Sequence, residues 1–184
     1  MNDAPQLLMR RKDLDGLPAL ELPPGVALRP FRENDGAHWE RIVNAAFGRK
    51  MTFDGKMRTD PAFRPERILF LETEGRPAAV AAAWYREAYG PDAGYLHYVA
   101  VLPEAQGQRL GYWVTLAALR RMRDEGFARA ALQTDDERIP AIKTYLRLEF
   151  QPDEGAHESY PERWKAIRRE IKAAAYTATE SNLQ

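Results

Sequence analysis

The sequence predicts an α/β (α+β) fold, a mixed central sheet flanked by helices, and three observations predict it. Runs of β-branched and aromatic residues bounded by turn residues read as strands, and apolar residues at three- and four-residue spacing read as helices. These segments follow one another as strand, helix, antiparallel strands, then strand, glycine-bearing loop, helix, strand and helix. The third observation is the stretch 95–112, Tyr-Leu-His-Tyr-Val-Ala-Val-Leu-Pro-Glu-Ala-Gln-Gly-Gln-Arg-Leu-Gly-Tyr. A strand there stops at Pro103, and a short loop carries the chain into a helix that opens near Gly111. The first N–H groups of such a helix lack internal partners and its dipole adds partial positive charge, so the junction suits an anion.

Length and composition bound what surrounds this junction. At 184 residues the chain is long enough to bury one core without disulfides or metals. Cysteine is absent, which excludes disulfides, thiolate ligands and a cysteine nucleophile, and fits a reducing cytoplasm. Acidic and basic residues balance at 27 each, so no global charge draws the chain to nucleic acid. Arginine outnumbers lysine by 21 to 6, which reads first as genomic composition bias. No apolar run reaches membrane-spanning length, and the polar start lacks a signal-peptide core. No metal constellation is visible, since three scattered histidines without cysteine do not make a site. The expectation is a soluble, cytoplasmic protein with no membrane and no nucleic-acid partner.

Residues 1–25 read as an N-terminal arm, because Pro5, Pro18, Pro23 and Pro24 break any long helix. Leu7-Leu8-Met9 within it reads as a piece of the arm or as an edge strand. Val26–Phe31 is the first clear strand, and Asn34 or Asp35 is placed to cap a helix bearing Trp39, Ile42, Val43, Ala46 and Phe47. Residues 48–67 are polar and mixed, a long loop with a short helix that suits a substrate rim; its Phe53 and Phe63 read as packing. Residues 67–73 and 78–85 flank Glu74-Gly75-Arg76-Pro77 and predict a hairpin, the second strand being alanine-rich. The helix after Gly111 presents Tyr112, Leu116, Leu119 and Met122 on one face and stops at Gly126. A strand follows over 127–134, then a helix over 139–148 with Pro140 in its first turn. Phe150 resumes an extended segment, and 161–175 reads as a last helix with Trp164, Ile167 and Ile171 on one face. Residues 26–175 form a single domain in this reading, and 176–184 a flexible tail.

Three stretches in this order resemble the GNAT superfamily of acetyl-CoA-dependent N-acetyltransferases. Residues 101–111, Val-Leu-Pro-Glu-Ala-Gln-Gly-Gln-Arg-Leu-Gly, are similar to the family's pyrophosphate loop, usually Val-x-Pro-x-x-Arg/Gln-Gly-x-Gly-x-Gly/Ala. Residues 141–150, Ala-Ile-Lys-Thr-Tyr-Leu-Arg-Leu-Glu-Phe, are similar to its closing Ala-x-x-x-Tyr-x-x-x-Gly-Phe, and Leu28–Phe31 with Asp35 to its opening strand and helix. Three residues depart from the pattern: Arg109 and Glu149 stand where glycine is usual, and Arg138 where asparagine is common. The resemblance implies the GNAT fold, a mixed sheet of six to seven strands with a bulged central strand splayed from its parallel neighbour.

It also implies the chemistry. Acetyl transfer to an amine needs a held thioester, a neutral amine, a stabilised oxyanion and a proton for the departing thiolate. The resemblance assigns the pyrophosphate to Gln106, Gly107, Gln108, Arg109, Leu110, Gly111 and Tyr112, and the pantetheine arm to the backbone of Val99, Ala100 and Val101, as though it were an added strand. Tyr145 falls at the position of the general acid. His97, four residues before Val101, stands where a base is often placed, or is a strand histidine satisfied by hydrogen bonds. Tyr98 points to the opposite face and is the weaker candidate; Glu87, Glu137 and His157 are further carriers of a base. His38 reads as structural, and Asp135-Asp136-Glu137 as a helix-terminal acidic cluster or an attractor of a cationic amine. The expected activity is transfer of acetyl from acetyl-CoA to a primary amine by direct attack, in a ternary complex. The alternative is a non-catalytic acyl-CoA-binding or regulatory module of the same fold. A homodimer through the C-terminal segment is a further implication of the resemblance.

Overall fold

A computed structural model describes residues 4–181, with side chains through 174. The elements in chain order begin with β1 (Leu7–Arg11), β2 (Val26–Pro30), α1 (Gly36–Phe47), β3 (Ile68–Thr73), β4 (Arg76–Tyr85) and β5 (Ala93–Val101). There follow α2 (Leu110–Asp124), β6 (Arg129–Thr134), α3 (Ile139–Arg147), β7 (Gln151–Pro152) and α4 (Tyr160–Ser181). The chain divides into two compact units, Arg11–Ala131 and Met1–Arg10 with Leu132–Gln184. The strands form one seven-stranded mixed sheet in the order β2-β3-β4-β5-β6-β1-β7. Neighbours β5 and β6 are joined through a helix and run parallel, while the pairs β2–β3, β3–β4, β4–β5 and β1–β7 are antiparallel. No described helix is long and apolar enough to cross a membrane.

In the larger unit, β3 and β4 make the expected hairpin. Thr73 pairs with Arg76, leaving Glu74 and Gly75 as a two-residue loop, both at positive φ (52° and 72°). That is the primed turn whose twist matches the strands it joins. The alanine-rich run of β4 is strand because both of its faces are covered: residues 77–84 are buried without alternation. Helices α1 and α2 both pack on β4 and β5. Small side chains let these layers approach, and Gly94 on β5 shows how closely. A Cβ built there would stand 2.6 Å from Sδ of Met122 on α2.

Two local expectations are corrected in this unit. Asp35 makes no side-chain cap on α1. Its carboxylate instead accepts two bonds from the Arg29 guanidinium (2.5 and 3.0 Å) and one from the Arg32 N–H (2.6 Å). Arg29 also donates to Glu72 at 2.6 Å, so a triad with Arg29 and Asp35 buried and Glu72 half-buried ties β2, β3 and the entry to α1 together. A buried guanidinium is tolerated only when its donors are matched, and here two carboxylates match them. On α2, Tyr112 is not a core residue; Leu110, Val114 and Ala118 join Leu116, Leu119 and Met122 in the buried set. Residues 48–67 hold a π-helical turn (Asp54–Arg58) and a short 3₁₀ turn (Pro65–Arg67). Phe53 there is buried and stacks on Phe31 (4.8 Å between centroids, 11° between planes), confirming its packing role.

In the smaller unit, β1 is not an edge strand, because β6 and β7 flank it. Met9 pairs with Pro152 and Arg10 with Gln151. The segment is further held where Tyr160 donates its hydroxyl to the Gln6 carbonyl and Arg163 donates to the Pro5 carbonyl at 2.8 Å. Helix α4 runs from Tyr160 to Ser181, beyond the expected 161–175. The expected tail 176–184 has no described side chain, and 182–184 lie outside the described residues, as do 1–3.

Candidate active site

The loop that leaves β5 is built for an anion. A 3₁₀ turn, Pro103–Ala105, follows the strand, and α2 begins at Leu110. The N–H groups of Ala105 and Gln106 are used within the turn, and those of Tyr112 and Trp113 fold back to the Arg109 carbonyl (3.0 and 3.3 Å). Between them, the N–H groups of Gly107, Gln108, Arg109, Leu110 and Gly111 donate to no acceptor among the described residues. Five consecutive donors without acceptors at a helix N-terminus fit the oxygens of a diphosphate. Nothing lies within 4 Å of a Cβ built on Gly107, so the approach is open.

Arg109 keeps the shape that a glycine would give. Its φ and ψ are 59° and 17°, the left-handed region, which costs a residue with a β-carbon about 1 kcal/mol or more. Its guanidinium lies over the rings of Tyr112 (5.3 Å) and Trp113 (5.8 Å) and makes no ion pair among the described residues. The arginine thus adds an uncompensated cation beside the free amides. Glu149 behaves likewise at φ 62°, at the other position where the resemblance expects glycine. The sequence departs from the pattern at both places while the backbone does not.

A cleft of about 480 Å³ opens on the same loop, with Leu102, Ala105 and Gln108 in its wall. Both signs line it, Arg41 and Arg76 with Glu74 and Glu104, so it has no preference of charge.

Strand β5 carries a bulge. Ala82 pairs with His97 and Val80 with Ala100, so Ala81 faces two residues, Tyr98 and Val99. Tyr98 takes the extra residue's conformation at φ 47°. The alternation therefore breaks, and Tyr98 does not face away from His97: their ring centroids are 4.0 Å apart. The Tyr98 ring also meets Trp39 (4.9 Å) and Phe47 (6.2 Å) of α1. His97 lies among Tyr98, Tyr95 (5.3 Å) and Trp84 (6.0 Å). Burial, with the Arg86 charge second, pushes its pKa down to about 3, so the imidazole is neutral throughout the physiological range. Burial raises the Tyr98 phenol, against the opposing charges of Arg86 and Arg49.

In the smaller unit, the Tyr145 ring is buried on α3, 6.0 Å from that of Phe150. Its hydroxyl makes no hydrogen bond among the described residues. Burial, slightly opposed by Arg138, pushes its pKa up to about 12. Other candidates for a base are committed elsewhere or exposed. His157 Nδ1 meets the Ser159 hydroxyl at 2.9 Å and accepts from the Ser159 N–H at 3.1 Å, a turn that leads into α4. Glu87 and Glu137 are exposed, and so is His38, which takes no part in the core. Asp136 is held by Arg163 (2.5 and 2.9 Å) and Asp135 by Gln6 (2.9 Å), so this acidic cluster is tied into its own unit.

Sequence reasoning did not single out the aromatic surround of His97, nor Arg86. Trp84, Tyr85, Tyr89 and Tyr95 cluster around the second hairpin turn in the sequence, which was the available signal.

The chain is similar to known proteins. The model of the acetyltransferase (GNAT) family matches residues 34–150. The mycothiol acetyltransferase of Pseudarthrobacter chlorophenolicus is 34% identical over 145 residues, covering 73% of this chain and 45% of that protein. That of Kytococcus sedentarius is 32% identical over 143 residues, covering 73% of this chain and 48% of the relative. The chain therefore spans about half the length of these curated relatives. Among solved structures, a GCN5-related N-acetyltransferase from Sphaerobacter thermophilus matches with a TM-score of 0.62 at 21% identity, over 82% of this chain and 50% of that one. That last likeness is one of fold. The matched segment contains the bulged strand, the loop of free amides and the Tyr145 helix, and the chain belongs to the acetyltransferase (GNAT) family.

Proposed function

We propose that this chain transfers the acetyl group of acetyl-CoA to a primary amine by direct attack within a ternary complex. The observation that carries the proposal is the run of five free N–H donors from Gly107 to Gly111, beside the uncompensated Arg109. These groups, with Gln106 and Tyr112, hold the pyrophosphate of the donor, and the backbone of Val99, Ala100 and Val101 beyond the bulge pairs with its pantetheine arm. The chain has no cysteine, so no thiol is present to carry the acetyl group on the enzyme.

The chemistry assigned to each side chain follows from its charge state. The amine nitrogen bonds to the carbonyl carbon as the C=O π pair moves to oxygen. The proton lost by that nitrogen passes to the neutral imidazole of His97. An imidazole this weakly basic does not deprotonate a free ammonium, so the amine arrives neutral and His97 takes the far more acidic proton of the tetrahedral adduct. The adduct then re-forms C=O and breaks C–S. The departing thiolate takes the Tyr145 proton; the phenolate then regains a proton from solvent, and the imidazolium loses its own to solvent. A phenol with a pKa near 12 is fully protonated at any working pH, as an acid must be.

The non-catalytic reading drew on Arg109, Arg138 and Glu149, and the preserved left-handed backbone at Arg109 and Glu149 weakens it. Calorimetry with acetyl-CoA, followed by free-thiol release over a panel of amines, tests the proposal. The panel includes the acceptor implied by the curated relatives' name, mycothiol acetyltransferase. Tyr145→Phe is expected to keep the affinity for acetyl-CoA and lower turnover at least about tenfold. Unchanged turnover removes the acid role, and binding without turnover on any amine favours the module.

A further inference from the structure

The larger unit also holds groups that the transfer itself does not use, and they bear on which amine is taken. Arg86 follows β4, and its guanidinium lies over the Tyr95 ring, 4.9 Å from the centroid. Tyr89 stacks on Tyr95 from the next turn (5.2 Å, 4° between planes), and Tyr95 in turn stands 5.3 Å from His97. The face of this guanidinium is spent on the ring while its N–H edges are not. Arg49 follows the C-terminus of α1, where its N–H donates to the Asn44 carbonyl at 3.4 Å, two residues beyond the Phe47 ring that meets Tyr98.

Neither arginine has an acidic partner among the described residues. Other arginines of this unit are matched, Arg29 by Asp35 and Glu72, Arg67 by Glu125 and Arg129 by Asp92. Both are exposed, and Glu87, beside Arg86 in the chain, is exposed and unpaired with it. The rings facing His97 are Trp84, Tyr95 and Tyr98, and none brings a negative charge.

We infer that Arg86 and Arg49 recognise a carboxylate on the acceptor, so that the substrate is an amine of the α-amino-acid class. This rests on the N-acetyltransferase reading and narrows it. A planar guanidinium already stacked on an aromatic ring offers two parallel N–H groups to a carboxylate with little ordering left to do. Two cations beside an aromatic wall also depress the pKa of a nearby amine, and the mechanism needs that amine neutral. The same field that holds the carboxylate thus prepares the nucleophile. Tyr98 already registers both charges, and His97 that of Arg86.

The experiment measures kcat/KM by free-thiol release for a series of L-α-amino acids, each paired with its own carboxamide. The amide's less basic amine favours the amide, so the comparison is weighted against the inference. The acids are nevertheless expected to lead by about tenfold or more, the effect of one charge-assisted contact. Arg86→Gln and Arg49→Gln should each lower kcat/KM about tenfold more for the acid than for the amide, the difference falling chiefly in KM, while leaving the acetyl-CoA affinity unchanged. Arg86→Lys should recover part of the loss. Amides acetylated as well as or better than acids would overturn the inference and leave the transferase reading standing. Equal losses on acid and amide in both glutamine variants would also overturn it. Acetyl-CoA binding with no amine acetylated would remove the inference together with the reading beneath it.

Discussion

Replacing His97 by glutamine should make the protein less sensitive to acid. The imidazole lies among Trp84, Tyr95 and Tyr98, the Arg86 charge acts on it, and burial first and that charge second bring its pKa in the folded chain to about 3. In the unfolded chain the value returns to roughly 6.5. Above that value neither state binds the proton, and the group contributes nothing to pH dependence. Below it the unfolded chain takes up a proton that the folded chain refuses, so folding weakens as the pH falls from about 6.5 to about 3. At pH 5 the loss amounts to about 2 kcal/mol at most, since part of the ring still sees water. With a urea slope of roughly 2 kcal/mol/M, the midpoint moves by about 1 M. The assay is urea unfolding of wild type and His97→Gln at pH 8 and pH 5. Constant packing losses and the titration of every other group cancel in the double difference. Wild type should lose about 2 kcal/mol more than the variant across this interval. Equal losses in the two proteins would refute a buried, neutral His97.

Two further substitutions probe the scaffold. Gly94→Ala should destabilise by about 1–3 kcal/mol in chemical denaturation, because the new methyl meets Sδ and Cγ of Met122 at 2.6 and 2.7 Å and forces α2 off β5. A fully stable variant would show that Met122 turns aside freely. Glu149→Gly should raise stability by about 0.5–1 kcal/mol, the relief of a left-handed residue less the added freedom of the unfolded chain; a lower melting temperature would show that the glutamate's own contacts outweigh the strain.

Much of this molecule was legible as pattern. The hairpin was readable because Glu74-Gly75 sits between two apolar runs, and the helices because Trp39, Ile42 and Val43, or Leu116, Leu119 and Met122, recur at helical spacing. What escaped depends on contacts that no local pattern records. The bulge at Tyr98 is marked by no glycine or proline, so alternation placed His97 and Tyr98 on opposite faces, although their rings are in contact. Asp35 sits where a cap belongs, yet Arg29 outcompetes the helix N-terminus for it, being a full charge with a matching fork. Leu7-Leu8-Met9 lies among prolines and charges and reads as an arm or an edge strand, while its place inside the sheet depends on partners more than a hundred residues away in sequence. For the candidate site, the loop was readable from its spacing. The free amides, the posture of Arg109 and the aromatic wall around His97 needed coordinates.

That distant pairing has a consequence for how the protein is made. Arg10 meets Asp153 at 2.6 Å across a sequence separation of 143. During synthesis β1 emerges before β6 and β7 and must wait for them, exposing an unpaired ladder while the larger unit is already complete enough to collapse. The smaller unit is discontinuous in sequence, so the segment that follows residue 132 must be made before it closes. Slow translation through residues 132–152 would lengthen the period in which that strand is open to a neighbouring nascent chain, and low temperature or reduced expression should improve the soluble yield.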